Sequence, residues 1–319
     1  RFEKLMDYIY LILGLSLLAV GGEFLVKGSV SLALRLKIST LVVGMTVVSF
    51  ATSAPELLVS LDAALAGYSD ISLGNIIGSN IANIGLVLGI TALIFPLNVT
   101  NDTYKTNYPM LLGVSLAFVL LIYQFHAIQF WMGALFVLSL LIFVFLILRS
   151  SRKKGVQSAQ EDEFLEEVKS YPVWKSTTYL ILGGLALYYG ADFLINGTIA
   201  IAREWGVTER IISISVVAIG TSVPELAASV VAAVRKEESL AIGNLLGSNI
   251  FNVLAVLGIT SLVTDLPVGD AKIYTKDIWM MLGFVLLLYP VMRVYSKSTI
   301  NRLEGSVMLL AYIAYIYLL

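Results

Sequence analysis

Long apolar runs recur along the whole chain and are separated by short polar or charged segments. Each run is about 20 residues long, which is enough to cross the hydrocarbon core of a bilayer. We therefore predict an all-α polytopic membrane protein. The ten predicted spans lie at roughly residues 7–27, 39–66, 71–96, 107–124, 128–148, 173–195, 208–234, 240–263, 277–295 and 303–319.

Composition supports this interpretation and excludes several classes of protein. The 319-residue chain is 58% hydrophobic and 13% charged, whereas soluble domains carry about 25% charged residues. The chain has no cysteine, so disulfides, thiolate catalysis and cysteine-ligated metals are excluded. The Lys and Arg residues are scattered through short loops, so we expect no nucleic-acid partner. The first apolar run is interpreted as a spanning helix and not as a signal peptide.

The longest loop divides the predicted spans into two groups of five. We predict a first five-helix unit at 1–148, a linker at 149–172 and a second five-helix unit at 173–319. Most of the 21 Lys and Arg residues lie in the loops that follow odd-numbered spans, the linker included. By the positive-inside rule, these loops are cytoplasmic and both termini are extracellular.

The two units share sequence at a constant offset of 169 residues. The segment GGEFLVKGS at 21–29 corresponds to GADFLINGT at 190–198, and ATSAPELLVS at 51–60 corresponds to GTSVPELAAS at 220–229. LGNIIGSNIAN at 73–83 corresponds to IGNLLGSNIFN at 242–252. An odd number of spans per unit requires the two repeats to be inverted in the membrane. Inverted repeats are typical of secondary transporters, although channels and membrane enzymes also have them.

Two acidic residues occupy equivalent positions near the middle of predicted spans. Glu56 follows Pro55 in the second span, and Glu225 follows Pro224 in the seventh. A carboxylate at the bilayer centre costs a few kcal/mol or more and indicates a functional site. Each proline also removes a helical hydrogen bond and leaves carbonyl groups that need another partner.

Hydroxyl and amide side chains accompany both glutamates. Helical spacing places Ser49, Ser53, Glu56 and Ser60 on one face, with Ala218, Ser222, Glu225 and Ser229 as the equivalent set. A polar stripe on the third span, Asn75, Ser79 and Asn83, is matched on the eighth by Asn244, Ser248 and Asn252. Oxygen ligands without thiolate or imidazole favour hard cations such as Ca²⁺ or Na⁺. Three other groups are expected to stay outside this site: Asn80 and Asn249 as structural residues, Glu23 and Asp192 as interfacial ones, and His126 in a short loop.

The pattern T-S-x-P-E followed by G-N-x-x-G-S-N-I-x-N, present twice, resembles the alpha repeats of the cation/calcium antiporter superfamily. It is most similar to the prokaryotic sodium/calcium exchanger branch. The resemblance implies that spans two, three, seven and eight pack around the ions, and that spans one and six slide across them. It implies Glu56 and Glu225 as central Ca²⁺ ligands, with backbone oxygens of Thr52 and Thr221. The resemblance also implies two flanking Na⁺ positions, one that uses Ser49, Ser53 and Ser79 and one that uses Ala218, Thr221, Ser222 and Ser248. Asn83 and Asn252 would line the middle of the site.

The chain departs from that pattern in two places. Some relatives carry Asp where this chain has Asn252, so the third carboxylate of those proteins is missing here. This argues against potassium co-transport and against a proton on that group. Ser49 and Ala51 replace the Ala and Gly that are usual in the first repeat, so the resemblance does not determine the ligands of one outer Na⁺ position.

The expected function is secondary active antiport that exports Ca²⁺ and imports Na⁺, with three Na⁺ per Ca²⁺ implied by the resemblance. We expect no enzymatic activity and no cofactor, with Ca²⁺, Na⁺ and the lipid bilayer as the partners. A monomer in the plasma membrane is expected to suffice. A proton/calcium exchanger that uses the same site, a cation channel and an intramembrane hydrolase are the alternatives.

Overall fold

The structure is a computed structural model and describes residues 2–154, 163–169, 171–206, 220–293 and 298–318. Within these ranges, seven helices are long and apolar enough to cross a membrane. Two further helices form one more candidate span, bent by 44° at a break. The prediction of a helical membrane protein is confirmed at this level. The seven long helices are Met6–Leu36, Ser69–Ile94, Thr103–Phe125, Phe130–Arg152, Val173–Glu204, Glu238–Val263 and Ile273–Arg293.

Several spans consist of α-helix joined end to end with a short π-helical stretch. In chain order the α-helices are α1 Phe2–Leu36, α2 Thr40–Val43, α3 Ser49–Thr52, α4 Ala54–Leu65, α5 Ser69–Ala82, α6 Leu88–Ile94, α7 Tyr108–Phe125, α8 Phe130–Lys154, α9 Glu163–Lys169, α10 Val173–Glu204, α11 Val223–Val234, α12 Glu238–Phe251, α13 Gly258–Val263, α14 Ile278–Arg293 and α15 Arg302–Leu318. The π-helical stretches are Gly44–Val48, Asn83–Val87, Thr103–Asn107, Asn252–Leu257 and Ile273–Asp277.

The helix bounds follow the predicted spans, with two clear differences. Helices α1 and α10 have 35 and 32 residues and extend well beyond the predicted ends at residues 27 and 195. The prediction stopped where polar residues begin, but a helix can continue into the polar region of the bilayer. Residues 208–219 of the predicted seventh span lie outside the described residues, and so do residues 155–162 and 170 of the linker. Ten spans therefore remain a prediction.

Helices α1 and α10 pack closely along most of their length. Glycines recur every seven residues on both, at 14, 21 and 28 and at 183, 190 and 197. A methyl group added to Gly14 would lie 2.5 Å from the backbone nitrogen of Leu194, and one added to Gly183 would lie 2.6 Å from that of Leu25. Only glycine allows the two backbones to approach this closely.

The third and eighth predicted spans lie at the centre of the molecule. In their most apolar windows, 83% of the residues of Ser69–Ile94 and of Glu238–Val263 are buried, whereas the values for α1, α8 and α10 are 33%, 28% and 22%. The central pair therefore packs against protein, while the other three helices leave most of their surface for lipid.

Two short antiparallel strand pairs connect the halves of the chain. Strand β1, Leu97–Asn98, pairs with β4, Thr299–Ile300. Strand β2, Ala127–Ile128, pairs with β3, Leu266–Pro267. Each pair thus joins a loop of the first half to a loop of the second half.

Candidate cation-binding site

Both central glutamates stand in the first turn of a helix that begins after a break. Helix α3 ends at Thr52, Ser53 has φ −86° and ψ 4°, and α4 then begins at Ala54 with Pro55 in its first turn. The second half repeats this geometry at Ser222, with φ −90° and ψ 3°. Proline suits the first turn of a helix because the backbone N–H that it lacks would have no intrahelical acceptor there. A negative charge in the first turn is also favoured by the helix dipole.

Glu56 and Glu225 are both completely buried. The Ser53 hydroxyl donates a hydrogen bond of 3.3 Å to Oε1 of Glu225, which links the break in the first half to the acid of the second. Oε2 of Glu225 and both carboxylate oxygens of Glu56 have no hydrogen-bond partner among the described residues. Two buried carboxylates in this state need a positive charge or a proton, because unpaired buried charge is very costly.

Other buried polar atoms of the predicted site residues also lack partners within the described ranges. They include Oγ of Ser222, Oδ1 of Asn252 and both side-chain polar atoms of Asn83. The π-helical stretch that begins at Asn83 packs against α11, which carries Glu225. The equivalent stretch that begins at Asn252 packs against α4, which carries Glu56. The segment that begins with each asparagine therefore packs against the helix that carries the acid of the opposite repeat.

The π-helical geometry begins at the same place in both repeats, at Asn83 and at Asn252. A π-helical turn holds an extra residue and shifts the following side chains around the axis. Such insertions are frequent at functional sites. The sequence showed the two asparagines at equivalent positions but gave no sign of this change in helix type.

Hydroxyl groups connect the two halves around the acids. The hydroxyl of Thr52 donates to Oδ1 of Asn244 at 3.2 Å and lies 3.4 Å from Oγ of Ser248. On the opposite side of the pair, the hydroxyls of Ser79 and Thr221 are 3.3 Å apart. The same residue types therefore meet across both repeat interfaces.

The hydroxyl of Ser49 faces the eighth span. Its Oγ lies 2.8 Å from the carbonyl oxygen of Gly44 and 3.1 Å from that of Asn244. The sequence pattern placed Ser49, Ser53 and Glu56 on one continuous helical face. The break at Ser53 interrupts that face, so Ser49 contacts the backbone of the opposite half while Ser53 reaches Glu225.

Asn75 and Asn244 were part of the predicted polar stripe but were not expected in the site itself. Each amide nitrogen contacts the carbonyl oxygen of a central glutamate and the hydroxyl of a serine one turn further along: Glu56 and Ser60 in the first half, Glu225 and Ser229 in the second. The duplicated Gly-Asn pair at 74–75 and 243–244 was the signal that could have identified them.

The structure brings together nearly all of the residues that the sequence singled out. Ala218 lies outside the described residues, and Thr221 is half-buried where the others are buried. No cluster of three acidic, His or Cys side chains occurs in the part of the chain that is described. Two carboxylates and neutral oxygens are thus the available ligand types, and the ion-binding role of each residue stays a prediction. The residues in this region are Ser49, Thr52, Ser53, Glu56, Ser79, Asn83, Thr221, Ser222, Glu225, Ser248 and Asn252.

Comparison with known proteins agrees with this geometry. The model of a family described as sodium/calcium exchanger protein matches residues 6–149 and, a second time, residues 175–319. The chain belongs to the sodium/calcium exchanger family. The two matches coincide with the two halves that the internal repeat defines.

Relatives of similar length include proteins of bacteria and archaea. A candidate antiporter named CaxA, from Alkalimonas amylolytica, is 38% identical over 99% of each chain. The sodium/calcium exchanger MaX1 of Methanosarcina acetivorans is 29% identical over 98% of each chain.

Solved structures of the sodium-calcium exchanger NCX_Mj share the fold of this exchanger-family chain. One soaked with Na⁺ and Sr²⁺ superposes with a TM-score of 0.81 at 30% identity, covering 98% of each chain. Another, soaked with Na⁺ and Ca²⁺, gives a TM-score of 0.78 at 32% identity, covering 98% of this chain and 97% of that chain.

Proposed function

We propose that this protein exchanges Na⁺ for Ca²⁺ across a membrane by secondary active antiport. The observation that carries the proposal is the pair of fully buried glutamates, Glu56 and Glu225, with three carboxylate oxygens free of hydrogen bonds within the described residues. Membership of the sodium/calcium exchanger family identifies the ions that this pair would take. The protein then acts as a transporter and not as an enzyme, and it needs no cofactor.

The chemistry of the site accounts for exchange. Two carboxylates neutralise either one Ca²⁺ or two Na⁺, so the two ions compete for the same negative charge. Ca²⁺ takes six to eight oxygen ligands, and neutral oxygens must supply those that the glutamates do not. The proposed neutral ligands are Ser49, Thr52, Ser53, Ser79 and Asn83 from the first repeat, and Ala218, Thr221, Ser222, Ser248 and Asn252 from the second.

We propose ten spanning helices arranged as two inverted repeats, with boundaries at 1–148, 149–172 and 173–319. The strand pairs support inversion: β1 and β3 are repeat equivalents, and each pairs with the strand before the last span of the other half.

Near these loops, a carboxylate of each half accepts hydrogen bonds from the backbone of the other half. Asp70 accepts hydrogen bonds from the backbone of Gly269 and Asp270, and Glu238 accepts one from the backbone of Asn98.

The same topology gives an orientation. We propose that the linker faces the cytoplasm and both termini lie outside, in the plasma membrane, and that a monomer is sufficient for transport. The excess of Lys and Arg on the linker side supports this orientation. The long α1 and α10 pair packs along the outside of the buried core, where it could slide to open the site alternately to each side.

Uptake of ⁴⁵Ca²⁺ into proteoliposomes tests the proposal. Vesicles loaded with Na⁺ are compared with vesicles loaded with K⁺ or choline, and with vesicles carrying a pH gradient. Uptake that requires internal Na⁺ supports sodium/calcium exchange. Uptake driven by the pH gradient without Na⁺ would assign proton/calcium exchange instead, and conduction without any counter-ion would indicate a channel. For glutamine variants of Glu56 and Glu225 in this assay, Glu304→Gln is a matched control, because Glu304 is also a buried glutamate but caps the start of α15.

A further inference from the structure

Asn80 lies on α5 beside the predicted site and is almost fully buried. Its side chain makes three polar contacts, all with residues of the second half. Nδ2 lies 3.4 Å from the backbone carbonyl oxygen of Asn249 and 3.6 Å from the sulfur of Met281. Oδ1 accepts a hydrogen bond of 3.1 Å from Nδ2 of Asn252.

These contacts fix the direction of two amide groups in succession. A backbone carbonyl oxygen can only accept, so the group of Asn80 that faces Asn249 must be its NH₂. The oxygen of Asn80 then faces Asn252, and an oxygen can only accept from the NH₂ of that residue. The nitrogen and oxygen of a side-chain amide are usually hard to tell apart in a structure. Here both amides are oriented by the backbone carbonyl oxygen of Asn249, which can only accept.

The consequence is that Asn252 turns its oxygen away from Asn80. Oδ1 of Asn252 is buried and has no hydrogen-bond partner among the described residues. An oxygen in this state is ready to coordinate a cation, whereas an NH₂ group in its place would present positive hydrogens to the ion. The direction of one amide therefore decides whether Asn252 helps or opposes cation binding.

The first repeat lacks this arrangement. Asn249 is the repeat equivalent of Asn80, but it donates at 2.8 Å to the carbonyl oxygen of Leu245 in its own helix. Neither polar atom of Asn83, the equivalent of Asn252, has a partner in the described part of the chain. Asn83 can therefore rotate to suit the ion, and Asn252 is held in one direction.

We infer that Asn80 is a positioning residue, which holds the amide of Asn252 so that its oxygen points into the cation site. The inference rests on the proposed function and adds a residue to it that the sequence pattern assigned to structure alone. Asn80 does not contact the ion. Its contribution is to remove the orientation of Asn252 in which the NH₂ group faces the site.

A double-mutant cycle between positions 80 and 252 tests the inference. Asn80→Ala is made in the wild-type background and in the Asn252→Asp background, and Ca²⁺ affinity is measured by Ca²⁺-dependent thermal stabilisation of the purified protein and by ⁴⁵Ca²⁺ uptake. With Asn at 252, loss of Asn80 should weaken Ca²⁺ binding about 3- to 10-fold, the effect of one neutral hydrogen bond. With Asp at 252, both terminal atoms are oxygens, so the direction no longer matters and the effect should disappear.

A purely structural role for Asn80 predicts a different result, namely the same loss in both backgrounds, and that result would overturn the inference. Unchanged affinity in Asn80→Ala would overturn it as well. If the alanine variant does not fold, the cycle is repeated with Asn80→Ser, whose short side chain cannot reach both Asn249 and Asn252. Thr91→Ala is the control for removal of a buried polar group and should leave Ca²⁺ affinity within about twofold of wild type, because the Thr91 hydroxyl donates to the carbonyl oxygen of Val87 in its own helix.

The two proposals fail in distinguishable ways. A wild-type protein without Na⁺-dependent Ca²⁺ uptake would overturn the proposed exchange and leave the thermal titration to decide the role of Asn80. A wild type that exchanges, with no coupling between positions 80 and 252, would overturn only the role of Asn80.

Discussion

Asn75 and Asn244 hold the two central glutamates by the same pair of contacts. Nδ2 of Asn75 lies 3.3 Å from the carbonyl oxygen of Glu56, and Nδ2 of Asn244 lies 3.5 Å from that of Glu225. Each nitrogen also donates to a serine, Ser60 at 2.9 Å and Ser229 at 3.0 Å. The amide of one span thereby fixes the first turn of the broken helix beside it.

The two asparagines differ in what their oxygens do. Oδ1 of Asn244 accepts from Thr52 and from Ser248, so this residue joins the two halves, and it is buried where Asn75 is only half-buried. We expect Asn244→Ala to weaken Ca²⁺ binding about tenfold or more, and Asn75→Ala to weaken it less, because a buried hydrogen-bonded group is costly to remove. Titration of Ca²⁺-dependent uptake in both variants measures this. Equal losses would contradict the asymmetry.

The charges of Glu56 and Glu225 provide the most direct test of the shared site. Glu56→Gln or Glu225→Gln keeps the size of the side chain but removes one negative charge, so a single Ca²⁺ is no longer neutralised. We expect each variant to insert and fold normally and to lose Na⁺-driven ⁴⁵Ca²⁺ uptake. Glu304→Gln, outside the site, should retain it. Wild-type exchange in either site variant would show that the two carboxylates do not bind the ion together.

The sequence was sufficient to predict which residues form the centre of the molecule. The offset of 169 residues and the duplicated Pro-Glu pair identified Glu56 and Glu225, and the polar stripes identified Asn83 and Asn252. The π-helical turns that begin at these asparagines could not be predicted, because the choice between α- and π-helix depends on packing and not on local composition. The role of Asn80 was missed for a similar reason. Helical spacing places it off the polar stripe, and only the approach of the opposite half brings it to Asn252.

The long α1 and α10 helices show another limit of sequence patterns. Hydropathy marks where a chain can leave the hydrocarbon, and Lys27 was taken as such a point. In the structure Lys27 stays within α1 and forms ion pairs with Glu23, at 3.5 Å, and with Glu167, at 2.9 Å. Glu23 was expected to be an interfacial residue, and its pairing with Arg235, 212 residues further along the chain, could not be predicted from its local sequence.

The ion pair between Glu23 and Arg235 connects α1 to the end of α11. Two hydrogen bonds of 2.8 and 2.6 Å join the guanidinium to the carboxylate, and both side chains are partly exposed. The repeat equivalents are Asp192 and Ala66, which cannot form such a pair. Because exposed pairs are screened by solvent, we expect Glu23→Gln or Arg235→Gln to lower stability by about 1 kcal/mol or less.

Thermal unfolding of these variants in detergent at low and high salt measures that contribution. The difference from wild type should shrink at high salt, because mobile ions screen exposed charges. The double variant Glu23→Gln/Arg235→Gln should lose no more than the larger single loss. Additive losses that do not depend on salt would indicate that the two residues act through packing and not through their charges.

Glu237 gives the protein a pH-dependent stability. It lies in the turn between α11 and α12 and is largely buried beside Thr40, and this burial raises the pKa of its carboxyl group to about 7. The folded protein therefore binds a proton between about pH 4.5 and 7 that the unfolded chain releases. Stability from this group is complete below the ordinary glutamate pKa and is lost as pH rises through about 7.

Glu237→Gln should remove this loss and raise stability at pH 8 by an amount on the order of 1–3 kcal/mol. Melting temperatures of wild type and variant, measured from pH 5 to 8, should converge at low pH and separate at high pH. Parallel curves across that range would show that the carboxyl group does not titrate there in the folded protein.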